Sequence, residues 1–89
     1  MIELRNQTIE NIINAADISE VDQIINNSIK TLKNNNTHDY IIIRFLSKLE
    51  MSMREMYGFP VYADKSENLK EAIQCINKHE LNKIKFDTQ

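Results

Sequence analysis

The stretch Asn34–Pro60, NNNTHDYIIIRFLSKLEMSMREMYGFP, decides the fold. It begins with polar residues that favour a loop, continues as a largely apolar segment, and ends at Gly58 and Pro60. At about 100° per residue, six apolar side chains fall on one helix face. These are Ile42, Phe45, Leu46, Leu49, Met53 and Met56. Gly58 suits a helix C-terminus at positive φ, and Pro60 prevents continuation. The stretch therefore predicts a long helix over residues 38–57 with its apolar face in a core.

The opposite side of this predicted helix has an unusual composition. Tyr40, Arg44, Ser47 and Met51 follow one another at i, i+4, i+7 and i+11. A solvated face normally holds Lys, Glu or Gln, whereas Tyr, Arg and Met are enriched at protein interfaces. Two interpretations stay open: scattered surface apolar residues, which are normal, or contact with a partner or a second copy. Tyr40, Arg44 and Met51 are candidate partner-binding residues on the second interpretation.

Three further segments repeat apolar residues at three- and four-residue steps, which predicts amphipathic helices. The predicted helices cover residues 3–16, 18–33, 38–57 and 66–79, and a short continuation over 80–86 is left open. A chain of 89 residues is expected to form one domain, here residues 1–89. Short connections make neighbouring helices alternate in direction. We therefore predict an all-α fold, an antiparallel four-helix bundle.

Polar side chains mark where these helices begin. The predicted N-caps are Asp17 for the second helix, Thr37 for the third, and Asp64 or Ser66 for the fourth. Glu20 and Glu67 each follow an Asp by three residues, which completes a capping box in both places. Phe59 to Ala63 is expected to be a short extended connection.

Composition excludes several classes of function. One Gly and one Pro argue against an all-β fold and a Gly-rich phosphate loop. A net charge of −2 gives no general attraction to nucleic acid. One cysteine, Cys75, cannot form an internal disulfide or a Cys-rich metal site, and a reducing cytoplasm is its simplest location. The N-terminus lacks a signal-peptide pattern, and no apolar run is long enough to span a bilayer.

No motif predicts catalysis. His38 and Asp39 are neighbours in sequence, so they point apart on a helix, and Asp39 suits the positive end of the helix dipole. Two histidines without metal-ligand spacing make a metal site improbable. The carboxylates are spread along the chain, and no pair has a spacing that demands acid–base chemistry. The sequence therefore predicts a protein that is not an enzyme and needs no cofactor.

Charge is uneven along the chain. Met1 to Asp39 contains three basic and six acidic residues, whereas the C-terminal end has Lys78, Lys83 and Lys85 among apolar residues. A basic amphipathic end can dock on an acidic partner or a membrane surface, and the alternative is a solvated tail. Lys78, Lys83 and Lys85 are therefore further candidate partner-binding residues.

The part of the chain from Thr8 to about His79 contains ISEVDQIINNSIKTLKNNNTHDYIIIRFLSKLEMSM, a loop with YGFP, and ENLKEAI. These segments give most of the chain a resemblance to the immunity proteins that protect bacteria against their own class II bacteriocins. It implies a cytosolic antiparallel four-helix bundle without catalysis. Such proteins are thought to recognise a membrane receptor already engaged by the bacteriocin and to block the pore. Their C-terminal half usually decides which bacteriocin is recognised, which gives weight to Lys78, Lys83 and Lys85. The run after His79 is shorter than the tail of many members.

Two other resemblances are more local. VDQIINNSIKTLKNNNTHDYIIIRFLSKLE is similar to the centre of small enterobacterial connector proteins, helical homodimers that regulate biofilm and acid resistance by binding other regulators. MREMYGFPV and ENLKEAIQCINKH resemble segments of acyl carrier proteins. A carrier needs a serine at the start of the long helix to take phosphopantetheine. Asp39 or Ile43 occupies that place here, so the carrier function is not favoured. The oligomeric state, monomer or homodimer, stays open.

Overall fold

The structure, a computed structural model, describes residues 2–79 of the chain. Within that range the protein is all-α. Its helices are α1 (Ile2–Ile13), α2 (Ile18–Asn34), α3 (Asp39–Tyr57) and α4 (Ser66–Lys78), with a short 3₁₀ helix (Pro60–Lys65) before α4. The predicted all-α fold of four helices is confirmed, while the antiparallel order of the helices stays a prediction. The continuation proposed for residues 80–86 lies outside the described residues.

One apolar core joins all four helices, and α4 lies at its centre because it contacts α1, α2 and α3. The predicted inner face of α3 is confirmed at five positions. These are Ile42, Phe45, Leu46, Leu49 and Met53, all buried. Met56, the sixth, is half-buried at the last turn of the helix. The rest of the core comes from Ile12 and Ala15, from Val21, Ile25, Ile29 and Leu32, and from Leu69, Ala72 and Ile76.

The predicted capping box at the start of α2 is present. The Asp17 carboxylate oxygen Oδ1 accepts from the backbone N–H of Glu20 at 2.9 Å. The Glu20 carboxylate reaches back and accepts from the backbone N–H of Ala16 at 3.0 Å. Both bonds satisfy N–H groups that the first helical turn leaves without a partner. This local signal therefore correctly predicted the start of α2.

The prediction that Thr37 caps α3 is wrong, because the backbone N–H of Thr37 closes the C-terminus of α2. This N–H donates to the Leu32 carbonyl at 3.0 Å, and Asn36, at φ 59°, donates to the Lys33 carbonyl at 3.0 Å. These two bonds form a Schellman motif in which Asn36 takes the left-handed position. His38 caps α3 instead, and its Nδ1 accepts from the backbone N–H of Tyr40 at 3.2 Å.

The connection from α3 to α4 also differs from expectation. Gly58 has φ −82° rather than a positive φ, since α3 closes through ordinary turn bonds. Pro60 begins a 3₁₀ helix, because its fixed φ suits a first helical position, so the expected extended segment is absent. This helix runs directly into α4, and the backbone N–H of Ser66 donates to the Ala63 carbonyl.

The N-cap position of α4 is Lys65, without a side-chain cap bond. No side-chain cap forms at the residues predicted for it, which are Asp64, Ser66 and Glu67.

Two polar contacts hold α1 against its neighbours. The hydroxyls of Thr8 on α1 and Ser28 on α2 are buried and lie 2.8 Å apart. At the other end of α1, the Asn68 side-chain amide nitrogen on α4 donates to the carbonyls of Ile12 at 3.1 Å and Ala15 at 3.0 Å. These carbonyls come from the end of α1 and the turn after it, where helices leave acceptors without partners. The contacts fix where α1 lies against α2 and α4.

Candidate partner-binding site

The outer side of α3 is exposed at three of its four predicted positions, whereas Ser47 is half-buried. Tyr40 is 58 % and Met51 68 % exposed, and Arg44 is exposed between them. The Arg44 Nη1 donates to the Tyr40 hydroxyl at 3.4 Å, and the guanidinium carbon lies 6.0 Å from the ring centroid. This combines a weak hydrogen bond with a cation–π contact. Met51 lies seven residues beyond Arg44, about 10 Å along the helix axis. We call Tyr40, Arg44 and Met51 the outer face of α3.

An apolar cleft between α1 and α3 adjoins this outer face. Six residues line it: Ile2, Arg5, Ile41, Arg44, Phe45 and Lys48. Three of them are apolar, and the other three are cationic, one from α1 and two from α3. Its volume is about 120 Å³, close to that of an engineered apolar cavity of about 150 Å³ that binds benzene. We call this feature the cationic groove.

All the charged side chains that line the cationic groove are positive. No carboxylate lines it. Within residues 2–79, one ion pair has a nitrogen and an oxygen less than 4 Å apart. It joins the Arg54 Nε to the Glu50 Oε2 at 2.8 Å, on another part of α3. Among those residues, Arg5, Arg44 and Lys48 therefore have no carboxylate partner. The groove is a local positive region on a chain whose net charge is −2.

Only part of this site could be predicted from the sequence. Arg44 was predicted, but Arg5 and Lys48 were not. Lys48 follows Arg44 by four residues and so shares its helix face, a spacing that could have been used. Arg5 reaches the groove only because the core and the Asn68 bonds place α1 beside α3. No local pattern in the sequence indicates that contact.

The structure places the predicted basic end elsewhere. Lys78 is the last residue of α4 and lines a different concavity, together with Asp22, Glu71 and Cys75. It does not line the cationic groove. Lys83 and Lys85 lie outside the described residues.

Two carboxyl groups, Asp22 on α2 and Glu71 on α4, interact beside Lys78. The Asp22 Oδ1 atom is buried and has no hydrogen-bond partner within the described part of the chain. The pKa of Glu71 is raised, first by a hydrogen bond with Asp22, then by burial and by the charge of Asp22. Two ionised carboxylates cannot donate to each other, so this contact becomes a hydrogen bond only when a proton is present.

The thiol of Cys75 belongs to the same cluster and is not a nucleophile at neutral pH. Burial, and then the charge of Asp22, raise its pKa to about 11. Reactive cysteines have lowered pKa values and cationic neighbours. Lys78 only partly opposes the upward shift. Cys75 therefore serves as a half-buried packing residue of α4.

Replacing Glu71 by glutamine is expected to raise the melting temperature at about pH 7 by about 1–4 °C and to have little effect near pH 4. The folded state raises the pKa of Glu71 above its ordinary 4.5. Stability from the shared proton is therefore fully present below about pH 4.5 and is lost as pH rises through the raised pKa. A glutamine amide donates to Asp22 at any pH. The gain is small because Glu71 is partly exposed to screening solvent.

Thermal unfolding followed by circular dichroism at both pH values measures this effect. Glu10→Gln, at an exposed position on α1, is the matched control and should have an effect below about 0.5 kcal/mol. A Glu71→Gln effect that is the same at both pH values would contradict the shared proton.

In residues 2–79 no group of three or more His, Cys, Asp and Glu side chains is placed to hold a metal ion. No helix in the same range is long and apolar enough to cross a bilayer. The side chain of His38, which adjoins Asp39 in the sequence, caps the N-terminus of α3.

Comparison with protein-family models, with curated proteins and with solved structures finds no match to this chain. The resemblance to the bacteriocin immunity proteins therefore stays a prediction. Function is inferred from the outer face of α3, the cationic groove and the remaining exposed surface.

Proposed function

We propose that this chain is a non-catalytic binding protein that contacts a protein partner through the cationic groove and the outer face of α3. The observation that supports this most is the set of three cations, Arg5, Arg44 and Lys48, around an apolar cleft without a carboxylate partner among the described residues. Exposed Tyr40 and Met51 extend this surface with residue types that interfaces favour. Apolar surface rimmed by polar groups marks interaction sites.

The biological setting we propose is bacteriocin immunity. The protein would act in the cytoplasm on a membrane receptor that a class II bacteriocin has engaged. Support comes from the resemblance over residues 8–79 and from an all-α fold of four helices in the described range. Lys78, Lys83 and Lys85 stay candidate contacts of the C-terminal end in this setting.

Expression in a sensitive Gram-positive host, followed by challenge with class II bacteriocins, tests the proposed setting. The panel should include any bacteriocin encoded beside the gene. We expect protection against one of them, and we expect the double variant Arg44→Gln with Lys48→Gln to reduce it at equal protein level. Absence of protection against the whole panel would end the immunity proposal.

A homodimeric regulator of the connector type is the second candidate. A separate apolar patch where α3 meets the 3₁₀ helix favours it. Tyr57, Phe59 and Val61 are 50 %, 47 % and 75 % exposed there. Size-exclusion chromatography with light scattering separates the two candidates, because the regulator requires a stable dimer and the immunity protein is expected to be mainly monomeric. A monomer at high concentration would exclude the regulator.

A further inference from the structure

We infer that the cationic groove binds an acidic peptide segment of the partner, with one aliphatic or aromatic side chain in the cleft and carboxylates on both sides of it. This inference rests on the proposed binding function and specifies the chemistry of the partner. It follows from three properties of the groove: its size, the placement of its cations, and the absence of carboxylates from its lining.

The size of the cleft determines the apolar part of the ligand. A volume of about 120 Å³ accommodates about one ring or one branched aliphatic side chain. The apolar residues that line the cleft are Ile2, Ile41 and Phe45, which offer no hydrogen-bonding side chain. A polar side chain would lose its water without gaining a partner there. The cleft therefore selects one apolar anchor.

The cations determine the charged part of the ligand. Arg5 stands on the α1 side of the cleft, and Arg44 and Lys48 stand on the α3 side. Arg44 and Lys48 are four residues apart, about 6 Å along the helix. Carboxylates four residues apart on a partner helix have the same spacing. Guanidinium groups suit carboxylates because they offer paired donors. A helical segment with glutamates on both sides of an apolar anchor is complementary to this arrangement.

An acidic peptide fits the groove better than an anionic membrane does. A membrane is a broad surface, and a chain with net charge −2 has acidic side chains such as exposed Glu3 and Glu10 on the same helix as Arg5. An extended anionic plane would approach these side chains as well as the groove. A peptide contacts the concave region alone, where the cations are concentrated.

Nuclear magnetic resonance of the ¹⁵N-labelled full chain tests the inference. The probe is a blocked synthetic helical peptide with glutamates four residues apart and one leucine between them. We expect it to shift the backbone amide signals of Ile41, Arg44 and Phe45, and to bind more weakly at high salt. Two control peptides, one with serine for leucine and one with glutamine for glutamate, should bind far more weakly.

Paired variants locate the site. Arg44→Gln with Lys48→Gln should weaken binding of the peptide by roughly 3- to 10-fold, as expected for two exposed ion pairs. Arg54→Gln with Lys70→Gln removes the same total charge from a concavity between α3 and α4 and should leave binding unchanged. Both pairs are exposed, so circular dichroism should report folded proteins.

Three results would overturn the inference. The first is no amide shift with the glutamate peptide at about 1 mM, where even weak complexes form. The second is equal binding of the glutamine peptide, which would leave an apolar site without charge selection. The third is binding of phosphatidylglycerol vesicles through Arg44 and Lys48 while the peptide fails to bind.

The experiments distinguish failure of the immunity proposal from failure of this inference. Peptide binding without protection in the host would support the groove chemistry and reject the immunity setting. Protection that depends on Arg44 and Lys48, without peptide binding, would support the setting and reject the acidic segment.

Discussion

Replacing Leu49 by alanine is expected to lower the free energy of unfolding by about 2–5 kcal/mol. Leu49 is completely buried in the middle of α3, on the face that enters the common core. The smaller side chain removes apolar contacts and leaves a cavity that rigid neighbouring helices fill only in part. Domains of this size are stable by about 5–15 kcal/mol, so the loss is a large share of the total. Urea unfolding at constant m-value measures it.

Met51→Ala is the matched control for Leu49→Ala. Met51 lies two residues further on the same helix and is 68 % exposed. Its replacement should change stability by no more than about 0.5 kcal/mol. Combining it with Tyr40→Ala should leave the melting temperature within a few degrees, since the exposed contact with Arg44 contributes about 0.5–1 kcal/mol. Equal losses from Leu49→Ala and Met51→Ala would show that the faces of α3 are assigned wrongly.

The inner face of α3 could be predicted because helical spacing is a local property of the sequence. Five of its six predicted positions are buried. Helical spacing is a poorer guide for α1, where it puts Ile2 in one apolar stripe with Ile9 and Ile12 although Ile2 is 65 % exposed. Thr8, a polar residue, is buried on α1 instead. Its hydroxyl meets Ser28 from α2, twenty positions away, and no periodicity indicates that pairing.

Helix ends were predicted only where one local signal had no competitor. Asp17 begins α2 as its motif indicates. Thr37 had a suitable side chain, but its backbone N–H already closes α2, so His38 became the cap. Asp64 had a complete motif, but the 3₁₀ helix that precedes α4 satisfies the first backbone groups there. Propensity identifies candidate caps, whereas the neighbouring helix decides which one is used.

The candidate site also has one part that the sequence predicts and one part that only the tertiary fold creates. Its α3 part, Tyr40, Arg44 and Met51, follows from helical spacing, and the structure exposes all three. The cleft itself depends on α1 lying beside α3, so Arg5 enters only with the tertiary fold. Lys48 was overlooked because a lysine on a helix face is ordinary until an apolar cleft lies beside it.

Asn68→Asp is expected to destabilise the protein by about 3 kcal/mol or more at neutral pH. The Asn68 amide donates two hydrogen bonds, to the Ile12 and Ala15 carbonyls at 3.1 and 3.0 Å. A carboxylate cannot donate, so the change removes both bonds and places a negative charge against two carbonyl oxygens. Asn68→Ala removes the bonds without the charge and should cost about 1–3 kcal/mol, because Ile12 keeps a second donor from the Ala15 backbone.

Urea unfolding at two pH values separates these contributions. Asn6→Asp makes the same chemical change at an exposed position on α1 and should have an effect below about 0.5 kcal/mol. Acidic pH should reduce the difference in free energy of unfolding between Asn68→Asp and Asn68→Ala, because the new carboxyl then gains a proton that it can donate. If Asn68→Asp is no worse than Asn6→Asp, the amide does not fix the end of α1. Since α1 supplies Arg5 and Ile2 to the cationic groove, Asn68→Ala should also weaken peptide binding, although Asn68 does not line the groove.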